Sequence, residues 1–249
     1  MEITSANNDY VKECSKLLQK KYRSESGKFL LEGYKAIEEA YNSGIKIEHI
    51  FVDEKHLPEY DFAKDSVIKT NSLVLKKISS TESAPPAVAV AIQKDWTPDS
   101  LKNCKKVILL ENIKDAGNFG TIIRSAVAFG ADGVVLFGDC VDIYNPKCVR
   151  SAVGNLWKIP IVSVSELAKI KELFSEFLKI ATLPRSKNLL KNCKAKLPAL
   201  ILFGSEANGL SQELIDFSDE SVKIEMNNDV ESLNLATSVS VILYKLFTN

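Results

Sequence analysis

Three stretches of this chain bring together side chains that could bind an anionic ligand and move a proton. The first is Glu111–Phe137, "ENIKDAGNFGTIIRSAVAFGADGVVLF". Here an apolar strand runs into a turn with Gly117 and Gly120, a helix follows, and Asn118 and Arg124 are its polar members. A helix amino terminus can hold an anion with backbone N–H groups, and a guanidinium one turn on could grip a phosphate in bidentate fashion. The second is Leu200–Ile215, "LILFGSEANGLSQELI", where Gly204 and the carboxylate of Glu206 follow a strand and Ser211 stands at a helix start. The third is Ile224–Phe247, with Ser232 and Asn234 ahead of an apolar helix. Each stretch also has a plain reading: a strand–turn–helix, a dipole-favoured carboxylate and a helix cap.

The elements that must position these groups can be read from hydrophobic periodicity. Strands are expected at Val107–Leu110, Gly133–Phe137, Ile161–Val164, Lys179–Thr182, Leu200–Phe203 and Val222–Ile224. Helices are expected between them, at 120–129, 146–157, 166–177, 212–217 and 235–246. Near-continuous apolar strands alternating with helices imply a mostly parallel α/β sheet covered on both faces. Ligands of such sheets bind beyond the carboxyl ends of the strands, which directs attention to the loops after Leu110, Thr182, Phe203 and Ile224. Ahead of this section, Lys94–Lys105 ("KDWTPDSLKNCK") is polar and aperiodic and reads as a linker. Residues 1–93 read as a separate small α/β domain. Its expected helices are 7–21, 34–41 and 71–78, and its expected strands are 28–31, 47–52 and 88–92. The expected organisation is therefore 1–93, a linker 94–105, and 106–249.

The order N-x-G-x-x-x-R (Asn118, Gly120, Arg124), F-G-x-E-x-x-G-L-S (Phe203 to Ser211) and M-x-x-x-x-x-S-L-N (Met226 to Asn234) closely resembles the SpoU/TrmH family of RNA ribose 2′-O-methyltransferases in the SPOUT superfamily. "YNPKCVRSAVGNLWKIPI", Tyr144 to Ile161, is similar to the family between its first two motifs, and "KFLLEGYKAIEEA" is similar to an L30e-like RNA-binding domain. The resemblance implies an α/β SPOUT domain with a carboxyl-terminal trefoil knot, homodimers, and methyl transfer from S-adenosylmethionine to a ribose hydroxyl. The leading domain favours ribosomal over transfer RNA. Carried over by position, Thr182, Leu183, Gly204, Ile224, Met226 and Leu233 are expected at the cofactor, and Asn118, Arg124, Glu206, Ser232 and Asn234 in the catalytic set. The sequence departs from the pattern at Asp115-Ala116, where Asp-Pro is usual. It departs again at Ile224-Glu225-Met226, where Ile-Pro-Met is usual, and at Asn227-Asn228, where Pro-Gly is frequent. Glu225 would then set a carboxylate beside the cofactor pocket.

A sulfonium methyl is already electrophilic, so the implied reaction needs alignment and proton removal rather than a metal. Arg124 can stabilise the developing oxyanion but rarely loses a proton, which leaves Glu206 as the rival base. The sequence leaves three alternatives open: a catalytically inactive RNA-binding protein of this fold, for which Glu225 speaks; an unrelated nucleotide-binding enzyme, against which the missing G-x-G-x-x-G speaks; and methylation of a base.

Composition adds limits. Lys+Arg and Asp+Glu each number 32 in 249 residues, so any basic footprint for RNA must be local. The candidate is Lys16, Lys20, Lys21, Arg23 and Lys28. Five cysteines without a C-x-x-C pair, and no secretory signal, read as free thiols of a cytoplasmic protein. No apolar run suits a membrane span. The only histidines, His49 and His56, lie in the first quarter and read as half-buried or surface residues.

Overall fold

The computed structural model describes residues 1–227, 229 and 232–248; Asn228, named above, lies outside the described residues. The chain divides into two compact units, 1–95 with 142–157, and 96–141 with 158–249.

The first unit opens with α1 (Asp9–Lys16), capped by Asn8, whose side chain accepts from Tyr10 N and Val11 N. The sequence predicts one helix over 7–21. Instead the chain turns at Leu17, Gln19 is extended, and α2 (Lys20–Ser26) begins. The break frees the carbonyl of Leu17 to accept from Arg23 Nη1 at 2.8 Å, while Leu17 itself is buried. Then come β1 (Lys28–Glu32), α3 (Tyr34–Asn42), β2 (Ile47–Asp53), a 3-10 stretch Glu54–Ser66, β3 (Val67–Thr70), α4 (Ser72–Ile78) and β4 (Ala87–Ile92). The 3-10 stretch and β3 were not predicted: Pro58 and a polar composition hide both from periodicity. The sheet order is β1-β4-β2-β3, with β4 antiparallel to both neighbours and β2 parallel to β3. Asn71 caps α4 through Val74 N, as the sequence allowed. His49 packs edge-on against Tyr10 and His56 meets Glu59, so neither stands apart as a reactive group.

In the second unit, residues 94–105 are not a bare tether. A 3-10 turn, Pro98–Leu101, drops Leu101 and Cys104 into the core beside Val107 and Leu109. Next are β5 (Lys106–Glu111), α5 (Ala116–Ala128) and β6 (Gly133–Phe137). The segment 142–157 then groups with the first unit. It carries α6 (Pro146–Ala152), shorter than the predicted 146–157 because Val153 and Gly154 both take left-handed φ, 46° and 74°. Tyr144 Oη donates to Lys94 O at 2.8 Å and its ring lies 4.6 Å from Phe29, while Asp142 receives Arg23.

The second unit resumes with β7 (Ile161–Val164), α7 (Leu167–Leu173), β8 (Leu178–Thr182), β9 (Ala199–Phe203), α8 (Gln212–Phe217), β10 (Glu220–Val222) and α9 (Leu235–Phe247). All strands are parallel, in the order β10-β8-β9-β5-β6-β7. β9 is buried at every position, and β5 at all but its first, as the unbroken apolar runs required. α5 packs against α9, with Ser125 Oγ and Ser240 Oγ 2.7 Å apart. After β5 the chain turns to one side of the sheet, and after β9 to the other. This is the topological switch at which α/β sheets bind ligands. No helix among the described residues is long and apolar enough to cross a membrane. Burial pushes the thiols of Cys14 and Cys104 up to about 11, so both sit protonated as small apolar groups.

Candidate active site

A cavity of about 400 Å³ opens beyond the carboxyl ends of the strands, walled by the ends of β8, β9 and β10 and the start of α9. That volume lies in the range of small-molecule sites. The six residues expected at a cofactor all line it: Thr182 and Leu183 after β8, Gly204 after β9, Ile224 and Met226 after β10, and Leu233 before α9. Glu206, Ser232 and Asn234 line it as well. Strand hydrogen bonds place these ends. Leu183 N donates to Val222 O at 2.9 Å and Thr182 Oγ1 to Leu202 O at 2.8 Å.

Gly204, besides lining the cavity, permits a close approach within the chain. A Cβ there would stand 2.0 Å from the carbonyl carbon of Gly209, so the close approach is to the loop's own return, bridged Ser205 to Gly209. This closed loop holds Glu206 up. Its far end is tied by Ser211 N, which donates at 2.7 Å to the buried carboxylate of Glu111 at the end of β5.

The first motif also differs locally. α5 begins at Ala116, four residues earlier than predicted, because Asp115 caps it by accepting from Asn118 N at 2.7 Å. Gly117 and Gly120 are therefore helical, and this amino terminus is already satisfied by a carboxylate. Asn118 projects to the site instead. Its Nδ2 donates to Glu206 Oε1 at 2.6 Å, and its Oδ1 accepts from Asn234 Nδ2 at 3.0 Å. Asn234, not Ser232, is the cap of α9: its Oδ1 accepts from Ala236 N and Thr237 N. Those backbone donors fix the amide orientation of Asn234, which fixes that of Asn118, so a donor must face Glu206.

One expectation needs correction. Glu225 does not crowd the cavity: its carboxylate is exposed and meets Lys191 Nζ at 2.6 Å. Arg124, about two turns into α5, is exposed and does not line the cavity of its own chain. Sequence reasoning missed Ser205, Leu235, Ser238 and Ile242 in the walls; only their neighbourhood to the motifs signalled them.

The basic cluster of the first unit is mostly committed elsewhere. Arg23 is a correction: it is 2% exposed, and its guanidinium donates to Asp142 Oδ2 and Leu17 O, out of reach of a phosphate in solvent. Lys16 pairs with Glu13, Lys28 with Glu48, and Lys21 stands 4.0 Å from Glu25; Lys20 is exposed.

The cavity fits S-adenosylmethionine on its own chemistry. Leu183, Ile224, Met226 and Leu233 offer an apolar slot for a flat ring, and backbone groups at three strand ends offer polar partners. Among the described residues no cluster of His, Cys, Asp and Glu could hold a metal ion. A parallel α/β sheet with such a slot beyond its strand ends is the architecture of a cofactor-binding α/β protein. Residues 105–244 match the SpoU rRNA Methylase family and residues 8–91 the MRM3-like substrate binding domain; the chain belongs to the SpoU rRNA methylase family. It is 32% identical, over 98% of its length and 92% of the relative's, to an uncharacterized tRNA/rRNA methyltransferase of Synechocystis. It is 31% identical to the 23S rRNA (guanosine(2553)-2′-O)-methyltransferase of Bacillus subtilis, covering 98% of both. The AdoMet-bound rRNA methyltransferase of Sinorhizobium meliloti superposes with a TM-score of 0.88 at 27% identity, over 98% of this chain and 96% of that one. The fold is that of the SPOUT methyltransferases.

Proposed function

We propose that this protein methylates a ribose 2′-hydroxyl of ribosomal RNA, with S-adenosylmethionine as donor. The observation that carries the reading is the chain of bonds Asn234–Asn118–Glu206 at the rim of the strand-end cavity. Bound in that cavity, S-adenosylmethionine supplies an electrophilic sulfonium methyl. Leu183, Gly204, Ile224, Met226 and Leu233 hold it, with Thr182 tying β8 to β9. Glu206 uses Oε1 for Asn118, which leaves Oε2 to accept the proton of the ribose hydroxyl as its oxygen attacks. Asn118 holds that carboxylate in one orientation by a charge-assisted bond, and Ser232 orients the ribose by hydrogen bonding.

Arg124 holds the neighbouring phosphate and steadies the developing oxyanion, and it reaches the cavity from the other subunit of a homodimer. Its exposure and its absence from the lining of its own chain's cavity support that arrangement. The trefoil knot belongs to the same proposal, supported by the pairing of the loop after β8 with the stretch after β10 at Leu189 and Lys223. The free cysteines support a cytoplasmic setting. The inactive reading loses its one support, since Glu225 faces Lys191 and solvent.

The deciding experiment maps ribose methylation by mass spectrometry in ribosomal RNA from cells with and without the protein. One 23S ribose losing its methyl group is the expected result; unchanged maps of ribosomal RNA overturn the assignment.

A further inference from the structure

Between Leu183 and Pro198 the chain carries Arg185, Lys187, Lys191, Lys194 and Lys196 with no Asp or Glu among them. In a chain of zero net charge this is a strong local excess. The segment leaves β8, whose end walls the cavity, and returns as β9.

It is an ordered loop. Ser186 is buried, and its Oγ donates to Ser221 O at 2.9 Å. Asn188 Nδ2 donates to the same carbonyl at 3.1 Å. Leu190 N donates to Lys223 O at 2.8 Å, and Lys223 N returns a bond to Asn188 O at 3.0 Å. The loop is thus stitched to the stretch that leads into Ile224 in the cavity wall.

Its cations are held out. Arg185, Lys187, Lys194 and Lys196 are all exposed, and none forms an ion pair among the described residues; Lys191 alone meets a carboxylate, Glu225. The lysines of α1 and α2 show the contrast: Lys12, Lys16 and Lys21 already face Asp9, Glu13 and Glu25 on their own unit. Exposed cations with no local counter-charge are where a polyanion gains most from releasing its counterions, and an ordered backbone lowers the entropy lost on binding.

We propose that the 183–198 loop is a phosphate-binding surface that seats the backbone of the substrate RNA beside the methyl-transfer cavity. This rests on the RNA-methyltransferase reading and adds the surface that brings the target ribose to it.

The test uses the full-length protein, in vitro transcribed 23S ribosomal RNA, and affinities measured between roughly 50 and 200 mM salt. Two double variants, Lys194→Ala with Lys196→Ala and Arg185→Ala with Lys187→Ala, remove two contacts each. Each should flatten the log–log salt dependence by about 1.4 to 1.8, from about 0.7 to 0.9 per phosphate. Each should also raise KM for RNA while leaving kcat and the calorimetric affinity for S-adenosylmethionine unchanged. Lys20→Ala with Lys21→Ala should change the slope less. Slopes and KM equal to wild type in both loop variants, with RNA still bound, overturn the proposal. A wild-type protein that binds S-adenosylmethionine but shows no salt-dependent RNA affinity overturns the RNA-methyltransferase reading beneath it as well.

Discussion

Asn118 shows how much one side chain can settle. It lies on α5, yet both ends of its amide are engaged by other elements, Glu206 from the loop after β9 and Asn234 from the start of α9. Neither partner can be exchanged for the opposite polarity, because Asn234 is oriented by two backbone N–H groups. Glu206 is therefore presented as an acceptor with one oxygen unengaged. Glu206→Gln keeps the size and can still accept from Asn118, but it cannot take a proton. Methyl transfer should fall by about 10²- to 10⁴-fold, the usual contribution of a general base, with cofactor affinity unchanged by calorimetry. A variant with near wild-type turnover would move the proton to another group. Arg23 gives the opposite lesson. Its type suggests a phosphate contact, but burial and the 2.6 Å pair with Asp142 make it a structural ion pair.

At the scale of elements, the site depends on how α9 and the β9 loop begin and end. Asn234 both caps α9 and donates to Asn118, so its two functions can be separated. Asn234→Ala should cost about 1 kcal/mol of stability from the lost cap and should also lose activity. Asn234→Asp keeps an acceptor for Ala236 N and Thr237 N but has no donor for Asn118. Urea denaturation should find its stability close to wild type, while tritiated methyl transfer should remain as low as in the alanine variant. Recovery of activity together with stability would show that Asn234 acts through helix capping alone. The loop after β9 is constrained by the contact of Gly204 with Gly209 and by Glu111 on Ser211 N, so Glu206 stands on a closed frame.

For the molecule as a whole, the proposed shared site requires Arg124 to reach the cavity of a partner subunit. α5 and α9 pack together, and Val241 and Tyr244 of α9 remain 40% and 59% exposed. Under the shared-site proposal, Arg124→Ala should nearly abolish methylation but leave cofactor binding intact. Gly204→Trp should inactivate the cavity of its own subunit by displacing the loop from Gly204 to Gly209, which even a Cβ there would meet. When the two inactive proteins are mixed and heterodimers form, one site carries both lesions and the other neither, so activity should reappear. Heterodimers without activity would show that each subunit supplies its own arginine.

Strands β5 to β9 of the second unit were legible because buried parallel strands must be almost wholly apolar; β10, expected at Val222–Ile224, lies at Glu220–Val222, where two polar residues hide it. The three motif loops were legible because polar groups at strand ends stand out from that background, and the cavity gathered all six residues expected at the cofactor. Local periodicity could not show where helices stop. α1 breaks so that Leu17 O can accept from Arg23, α6 ends because two residues take left-handed φ, and α5 starts early because Asp115 caps it. Nor could it show which charges are already neutralised. Glu225 is neutralised by Lys191, 34 positions away, and Lys16 and Lys28 by Glu13 and Glu48, pairings that spacing in the sequence does not reveal. Residue types and spacing determined most of the strands of the second unit and the positions of the polar groups at their ends. Only the tertiary structure decided which charges are paired, since pairing depends on a few ångströms between residues distant in the chain.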